Sequence, residues 1–440
     1  MRSQYLILGL GSNLGQPIEN LRQALSLLKN TKGFRVLNVA SFYESDALVE
    51  SSAPESWRKN FLNSAVLIEI DSLASDSSPE NILKKIKLIE KDMGRADVEK
   101  WAPRLIDIDI LWMSNTHHQS ALLQVPHAQL FERPFALLPA LELRPELRQS
   151  WSENLKTWAH PWVDDKPFNT RISQNAFWPR LVGVLNLTED SFSDGGRYLN
   201  ADRLIEKARN LMADGAEILD LGAESTRPRA HEVSAEEELS RLQWGLGELS
   251  KAGVQAKISV DSRRAEVLEP LLESYRIDFI NDVSGFADPQ MQKLLSRSNA
   301  RAFVMHSLGV PPTAQTILPS AQKPQVYLLQ WWHDRRKQLL AAGVEDARLI
   351  FDPGIGFGKS KFQSIEILNH LEELAEITND VLIGHSRKSF MTAWTTHAAA
   401  ERDSDTALIT QNLNQAFVQY LRLHEMTSQK AALAYRGYRG

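Results

Sequence analysis

The chain contains no cysteine among its 440 residues, which excludes disulfides, thiolate metal sites and cysteine nucleophiles. It also lacks an apolar run of about 20 residues, the length a membrane-spanning helix needs. Basic excess is missing as well: the formal net charge is −5 and the pI near 6.2. A general nucleic-acid surface is therefore not expected, and any anion site has to be local. After Met1-Arg2-Ser3 the text passes straight into the strand-like run Tyr5 to Leu10, too short for a secretory apolar region and without a small-residue cleavage site. A cytoplasmic enzyme with small-molecule substrates, and neither nucleic acid nor membrane as partner, is the expectation. What is present supports a folded chain, since 43% hydrophobic and 24% charged residues suffice to bury a substantial core.

At roughly 150 residues per domain the length allows two or three domains, and a (β/α)8 barrel of about 250 residues leaves room for one smaller companion. The first part alternates a strand at 5–10, a helix at 17–29, strands at 34–43 and 61–70, a helix at 79–93 and a strand at 105–113. Strands outnumber helices and partly follow one another, which reads as an α+β domain. Trp158, Pro161, Trp162 and Pro167 then interrupt all periodicity. Residues 1–160 are accordingly assigned to a first domain, 161–178 to a linker and 179–440 to a second domain. In the last, apolar strands alternate with amphipathic helices at 200–214, 234–252, 264–274, 288–297, 324–342, 361–377 and 426–436, the signature of parallel βαβ units.

The strands of this second domain end in chemically able side chains. VGVLN ends at Asn186, ILDLGAEST at Thr226, KISVD at Asp261, FINDV reaches Asn281, AFVMH ends at His306, IFDPG carries Asp352, VLIGHSRK ends at Lys388 and YLRLH supplies Arg422 and His424. An α/β chain with a functional group at the carboxyl end of every strand predicts a TIM barrel, whose active site is assembled there. A doubly wound sheet would instead concentrate its ligand at one switch point. Arg422 and His424, one residue apart on a strand, point the same way and suit an anion. DPGIGFGKS is not a P-loop, because Pro353 stands where the first glycine would have to be.

In the first domain Asp107 and Asp109 alternate with Ile106, Ile108 and Ile110, so both carboxylates share one strand face while the isoleucines enter the core. Such a pair holds Mg²⁺ against polyphosphate oxygens. Trp101 and Arg104 upstream, with His127 and Arg133 downstream, favour that reading over a merely half-buried strand. Gly9-x-Gly11 lacks the context of a dinucleotide fingerprint. His117-His118 reads as an exposed loop pair rather than a metal site.

Longer strings carry two family resemblances. GVLNLTEDSFSDGG (183–196), LGAESTRP (221–228), ISVDS (258–262), INDVSG (280–285), DPGIGFGK (352–359), GHSRKSF (384–390) and LRLHE (421–425) resemble dihydropteroate synthase. The resemblance implies displacement of pyrophosphate from a pterin methylene by the amine of p-aminobenzoate. It implies Asp261, Asn281, Asp352 and Lys388 as pterin contacts, and Asn186 as a ligand to Mg²⁺ on the pyrophosphate, with Arg227, Arg422 and His424 as further pyrophosphate contacts. Phe192, Thr226, Arg227, Pro228, Phe357 and Ser389 would lie at the p-aminobenzoate slot and its loops, and the synthase part would form a homodimer. Departures are Glu189 in place of a proline, no Gly-Thr helix start in 392–412, and Glu425 in place of an aspartate.

GLGSNLG (9–15), FLNSAV (61–66), WAPRLIDIDIL (101–111) and VPHAQLFERPF (125–135) resemble 6-hydroxymethyl-7,8-dihydropterin pyrophosphokinase, an enzyme of ferredoxin-like α+β fold. This implies ATP as co-substrate, held by Glu90, Arg95, Trp101, Arg104, His127 and Arg133, with Mg²⁺ on Asp107 and Asp109. Ser45, Leu48, Phe61, Asn63 and Phe135 would surround the pterin. Ser45-Asp46, Lys87, Asp97 and Ala128 depart from the common Thr-Pro, Gln, Arg and aromatic residue. Together the resemblances imply a bifunctional enzyme of two successive folate steps. The alternatives are a monofunctional synthase with a non-catalytic first domain for binding or dimerisation, and a pterin-binding methyltransferase barrel.

Overall fold

The computed structural model describes residues 4–47, 49–70, 77–95, 102–156, 169–187, 200–224, 233–310, 316–374, 376–377 and 379–435. The chain forms two compact units. One comprises Met1–Trp178 with Asn414–Ala416 and Leu433–Gly440, the other Pro179–Leu413 with Phe417–Ala432. Among the described residues no helix is long and apolar enough to cross a membrane.

The first unit is an α+β domain. Its strands are β1 (Gln4–Ser12), β2 (Phe34–Val39), β3 (Tyr43–Ser45), β4 (Phe61–Ile70), β5 (Asp107–Met113), a small ribbon of β6 (His118–Gln119) and β7 (Gln124–Val125), and β8 (Arg171–Ile172). The main sheet runs β5-β1-β4-β3-β8, with β2 also on β4. Helices α1 (Pro17–Lys29) and α2 (Pro79–Asp92) both begin with proline at the first turn, where its missing N–H costs nothing. Ser78 caps α2 by accepting from the Asn81 N–H at 3.3 Å.

A third helix, α3 (Pro134–Leu143), was not foreseen. Eight of its ten residues are buried and Pro139 sits inside it, so it shows no amphipathic period and carries a residue that argues against a helix. It covers the sheet face bearing Ala65, Leu67 and Leu111. By alternation Ile108 and Ile110, 1% and 2% exposed, enter the opposite face as expected. The expected strand 34–43 divides into β2 and β3. His118 is not wholly exposed: its Nε2 lies 2.8 Å from Glu80.

Part of the stretch assigned to a linker is ordered structure of this unit. β8 pairs antiparallel with Tyr43 and Glu44. Arg171 and Ser173 both donate to the Glu44 carboxylate at 2.7 Å. The Trp178 indole donates to the Ala40 carbonyl at 2.7 Å and lies against Phe42 with ring centroids 4.5 Å apart.

The second unit is a closed barrel of eight parallel strands. They are β9 (Arg180–Asn186), β10 (Ala216–Gly222), β11 (Lys257–Asp261), β12 (Phe279–Asp282), β13 (Arg301–Met305), β14 (Leu349–Asp352), β15 (Asp380–Ile383) and β16 (Tyr420–Leu423), which returns to β9. Every expected helix is present, the one at 361–377 ending early at Asn369 before a 3-10 turn. A further helix, Asp403–Asn412, occupies the region read as lacking a helix start.

Val182, Ile218, Phe279, Phe303, Ile350, Leu382 and Tyr420 form one buried cluster, to which seven of the eight strands, all but β11, contribute one side chain each. Phe279 and Phe303 stack at 5.0 Å and Tyr420 meets Phe303 edge-on at 5.4 Å, a plug such as fills barrel interiors. Because side chains alternate along a strand, moving two residues on from this layer brings Asp220, Asn281, Asp352 and Arg422 to the same face. Moving four brings Asn186.

Glycine makes the turn after β14. Gly354 has φ +63°, and a Cβ there would stand 1.9 Å from the His306 carbonyl oxygen. Gly253, at φ +66°, has open space around it. Gly253→Ala should cost about 1 kcal/mol, the strain alone, whereas Gly354→Ala adds a backbone collision and should cost about 3 kcal/mol or more. Denaturant unfolding of the two variants measures the difference.

Candidate active sites

In the first unit a cavity of about 300 Å³ is lined by Ser45, Asp46, Phe61, Asn63, Arg104, Asp107, Asp109, Gln129, Arg133 and Phe135, among others. Its floor explains the GLG motif. Gly9 stands opposite Asp109 and Ala65, and Gly11 opposite Asp107 and Asn63. A Cβ on Gly11 would lie 3.2 Å from Asn63 Oδ1, so the glycines keep the central strand bare between acids on one side and an amide on the other. Asn63 Nδ2 donates to Ser45 Oγ at 3.0 Å and to the Tyr43 carbonyl at 3.3 Å.

The acids differ. Asp107 accepts from Arg95 at 2.8 Å and from Arg104 at 2.9 Å. Asp109 has its pKa raised, first by burial and then by the Asp107 carboxylate, against the opposing pull of His127, Lys87 and Arg133. Glu90, 2% exposed, accepts from the Ile108 N–H and from Lys87, and it pairs with Arg95. His127 Nδ1 accepts from the Gln129 N–H at 3.2 Å. Arg133 donates to Gln129, and its guanidinium lies 5.9 Å from the centre of the Phe135 ring. Gln129 was missed, there being no signal in a lone glutamine. Leu48 and Trp101 lie outside the described residues.

In the second unit charges converge inside the barrel mouth. Arg422 donates from Nε to Asp220 Oδ2 at 2.6 Å and from Nη2 to Asp261 Oδ2 at 2.8 Å. Asn281 Nδ2 donates to the same Asp220 oxygen at 3.1 Å. Burial pushes the Asp261 carboxyl up to about 7 against the pull of Arg422, and burial likewise raises Asp352 against Lys388. Lys388 donates to the Ile355 carbonyl at 2.6 Å and lies 4.5 Å from the centre of the Phe357 ring. Burial lowers its ammonium to about 8. His424 contacts Ser386 Oγ through Nδ1 at 3.1 Å. Asn186 ends β9 opposite Gly222, and Ser389 is exposed at the start of the 3-10 turn that follows β15.

Two features escaped the sequence reading. Asp220, 0% exposed, sits inside β10 rather than at its end, although counting two back from Gly222 would have found it. The helix Asp403–Asn412 also serves the site: Asp403 takes both Nε and Nη2 of Arg387 at 2.7 Å, and the adjacent Arg402 donates to the carbonyls of Arg387 and Lys388 at 3.2 Å. Arg387 stands at φ +59°, so these bonds hold the turn that presents Lys388. His306 turns away from the barrel interior, its ring against Trp331 at 5.0 Å and its Nδ1 2.8 Å from Lys359. Phe192, Thr226, Arg227 and Pro228 fall outside the described residues.

Residues 7–145 match the family model of 7,8-dihydro-6-hydroxymethylpterin-pyrophosphokinase, and 182–424 match that of the pterin binding enzymes. A folate synthesis bifunctional protein of Chlamydia trachomatis is 33% identical, over 99% of this chain and 98% of its own. This chain belongs to the bifunctional folate synthesis family. A mitochondrial member of that family from Pisum sativum is 32% identical over 89% of this chain and 80% of its own. The barrel is similar to the dihydropteroate synthase of Anaplasma phagocytophilum, solved with bound 6-hydroxymethylpterin-monophosphate, at 31% identity and a TM-score of 0.53 over 59% of this chain and 99% of that one. Bifunctional folate synthesis is thus a transferase activity of two kinds in one chain, a pyrophosphokinase followed by a dihydropteroate synthase.

Asp220→Ala would remove one carboxylate from Arg422 and the acceptor from Asn281. A loss of about 3 kcal/mol in unfolding free energy is expected, as for a broken buried ion pair, measured by urea denaturation.

Proposed function

We propose that the two cavities divide the pathway by residue as follows. In the first, Asn63 and Phe135 hold the pterin, with Ser45, Leu48 and Phe61 around it, so that its hydroxymethyl oxygen meets the β-phosphorus of ATP. The O–P bond forms as the bond to the α-phosphate breaks, AMP leaves, and the hydroxyl proton is lost. Arg104, Arg133 and His127 face the phosphate charge, with Trp101 and Arg95 at the nucleotide. Glu90 anchors Arg95 and the β5 backbone, which holds Asp107 and Asp109 in place.

Mg²⁺ suits this acid pair. Among the described residues no three His, Cys, Asp or Glu side chains gather as a metal site, so two carboxylates would supply part of a shell that water and phosphate oxygens complete. The Asp109 pKa is raised first by burial and then by the Asp107 carboxylate, and a cation between the two acids would offset the latter. When bound, the ion would neutralise polyphosphate charge and draw electrons from the bond that breaks.

In the barrel Asp261, Asn281 and Asp352 read the donors of the pterin ring and Lys388 its acceptor edge. The amine of p-aminobenzoate forms the new C–N bond at the pterin methylene, the C–O bond breaks, and pyrophosphate departs with the electron pair. His424, Arg227 and the amide oxygen of Asn186, a hard donor fit for Mg²⁺, serve the leaving group. Arg422, with two donors committed to carboxylates, acts on it chiefly as charge and builds the pocket floor. Phe357, Ser389, Phe192, Thr226 and Pro228 border the arene. A cytoplasmic homodimer through the synthase unit completes the reading.

The observation that carries it is the meeting of an amide, an aromatic, arginines and an acid pair in one cavity with a second amide, carboxylates and a lysine inside the barrel. Given 6-hydroxymethyl-dihydropterin, MgATP and p-aminobenzoate, the purified chain should release AMP and form dihydropteroate. Asp109→Asn should slow AMP release about a hundredfold or more while leaving synthesis from preformed pterin pyrophosphate intact. No AMP from the parent chain would reduce it to a synthase with a binding domain.

Lys388 supplies a pH signature. Its depressed pKa of about 8 means the ammonium is present below that value and lost above it. kcat/KM for the pterin pyrophosphate should therefore fall as pH rises through about 8. In Lys388→Arg the charge persists, so activity should be lower but flat across that range. A wild-type profile without that decline would refute the assignment.

A further inference from the structure

Asp46 is the acid of the first cavity that the phosphate chemistry does not use. It lies at the pterin end, adjoining Ser45 and lining the same space as Phe61, Asn63 and Phe135. Its Oδ2 accepts a hydrogen bond from Asn169 Nδ2. Asn169 has φ +35° and stands two residues before Arg171, which begins β8 and pairs with the Glu44 carboxylate at 2.7 Å. The carboxylate is thus tethered on one oxygen by a residue just ahead of a strand that is itself pinned to the residue before Ser45.

One hydrogen bond leaves a carboxylate with most of its roughly four acceptor positions. Among the described lining residues, the polar side chains nearest it in the sheet are Asn63, a mixed amide already donating to Ser45 and Tyr43, the Ser45 hydroxyl, and Ser64, whose hydroxyl donates to the Ala40 carbonyl. A 2-amino-4-oxo pterin offers two adjacent donors, the ring N–H and the exocyclic amine, spaced as the two oxygens of a carboxylate accept them. Neither Asn63 nor Ser45 supplies two acceptors in a row. We propose that Asp46 is a substrate-contacting specificity residue of the pyrophosphokinase cavity, accepting from the amino-pyrimidine edge of the pterin, and that Asn169 is its positioning residue. The inference rests on the kinase reading above and adds the feature that selects a 2-amino over a 2-oxo ring, because a 2-oxo analogue puts an acceptor against the carboxylate. It also makes residue 169 part of the first active site, although it lies 106 positions beyond Asn63 in the sequence.

The test is AMP release by the full-length chain with 6-hydroxymethyl-dihydropterin and with its 2-oxo analogue, each at saturating MgATP. Asp46→Ala should raise the KM for the pterin roughly ten- to a hundredfold, leave the KM for ATP unchanged and narrow the preference for the 2-amino ring by a similar factor. Asn169→Ala should raise the same KM by a smaller factor. An unchanged KM for ATP, with a urea unfolding curve like the parent's, reports that the first unit of each variant is folded. If Asp46→Ala keeps both the parent KM and the parent preference, the inference is overturned while the kinase assignment stands. If the parent chain itself releases no AMP, the assignment falls and the inference falls with it. A loss of kcat alone, equal for both rings, would also overturn it, since that is what a purely structural role produces.

Discussion

The barrel mouth is organised around one guanidinium. Arg422 reaches from the last strand to carboxylates on the second and third, joining strands that sequence separates by 202 and 161 residues. Three such groups in a space this buried cost several kcal/mol each to desolvate as charges, and burial alone already raises Asp261. The Arg422 guanidinium opposes the effect of burial on Asp261, and Asn281 is oriented by the same Asp220 oxygen that Arg422 binds. Such a network adds little to stability over a well-packed apolar layer. It defines one arrangement of acceptors, which is what ring recognition requires.

The two units meet the same kind of ring by different means. In the antiparallel sheet, bare glycines on a central strand open a floor between neighbours, and the polar side chains stand on the flanking strands. In the parallel barrel, the apolar plug fills the lower layer and the next layer of the same alternation is polar. Both solutions depend on a period of two, read across strands in one case and along them in the other.

That period is also why much was legible beforehand. The barrel, the alternating acids of β5 and the strand-end positions of Asn186, Asp261, Asn281 and Asp352 all follow from local text. Asp220 was hidden because it lies within a strand, where a polar residue looks like an interruption of the core. Helix α3 was hidden by being apolar on all sides. The short helix after Arg402 was hidden because its start lacks a conventional cap, and its importance lies in long-range bonds to the turn at Arg387. His306 looked equivalent to the other strand ends, yet it stands one residue past the alternation and so faces the aromatic cluster outside the barrel.

The strand Arg171–Ile172 has a bearing on how the chain can be divided. It occupies the outer flank of β3 and satisfies backbone groups that would otherwise face water as an open edge. Sheet edges left uncovered are templates for pairing with other chains. A fragment cut where the aromatic and proline-rich text begins would carry such an edge, and self-association would be its characteristic failing. Expression of the first unit therefore calls for retaining the chain through Trp178, because the last strand to pair, rather than composition, marks how far this sheet extends.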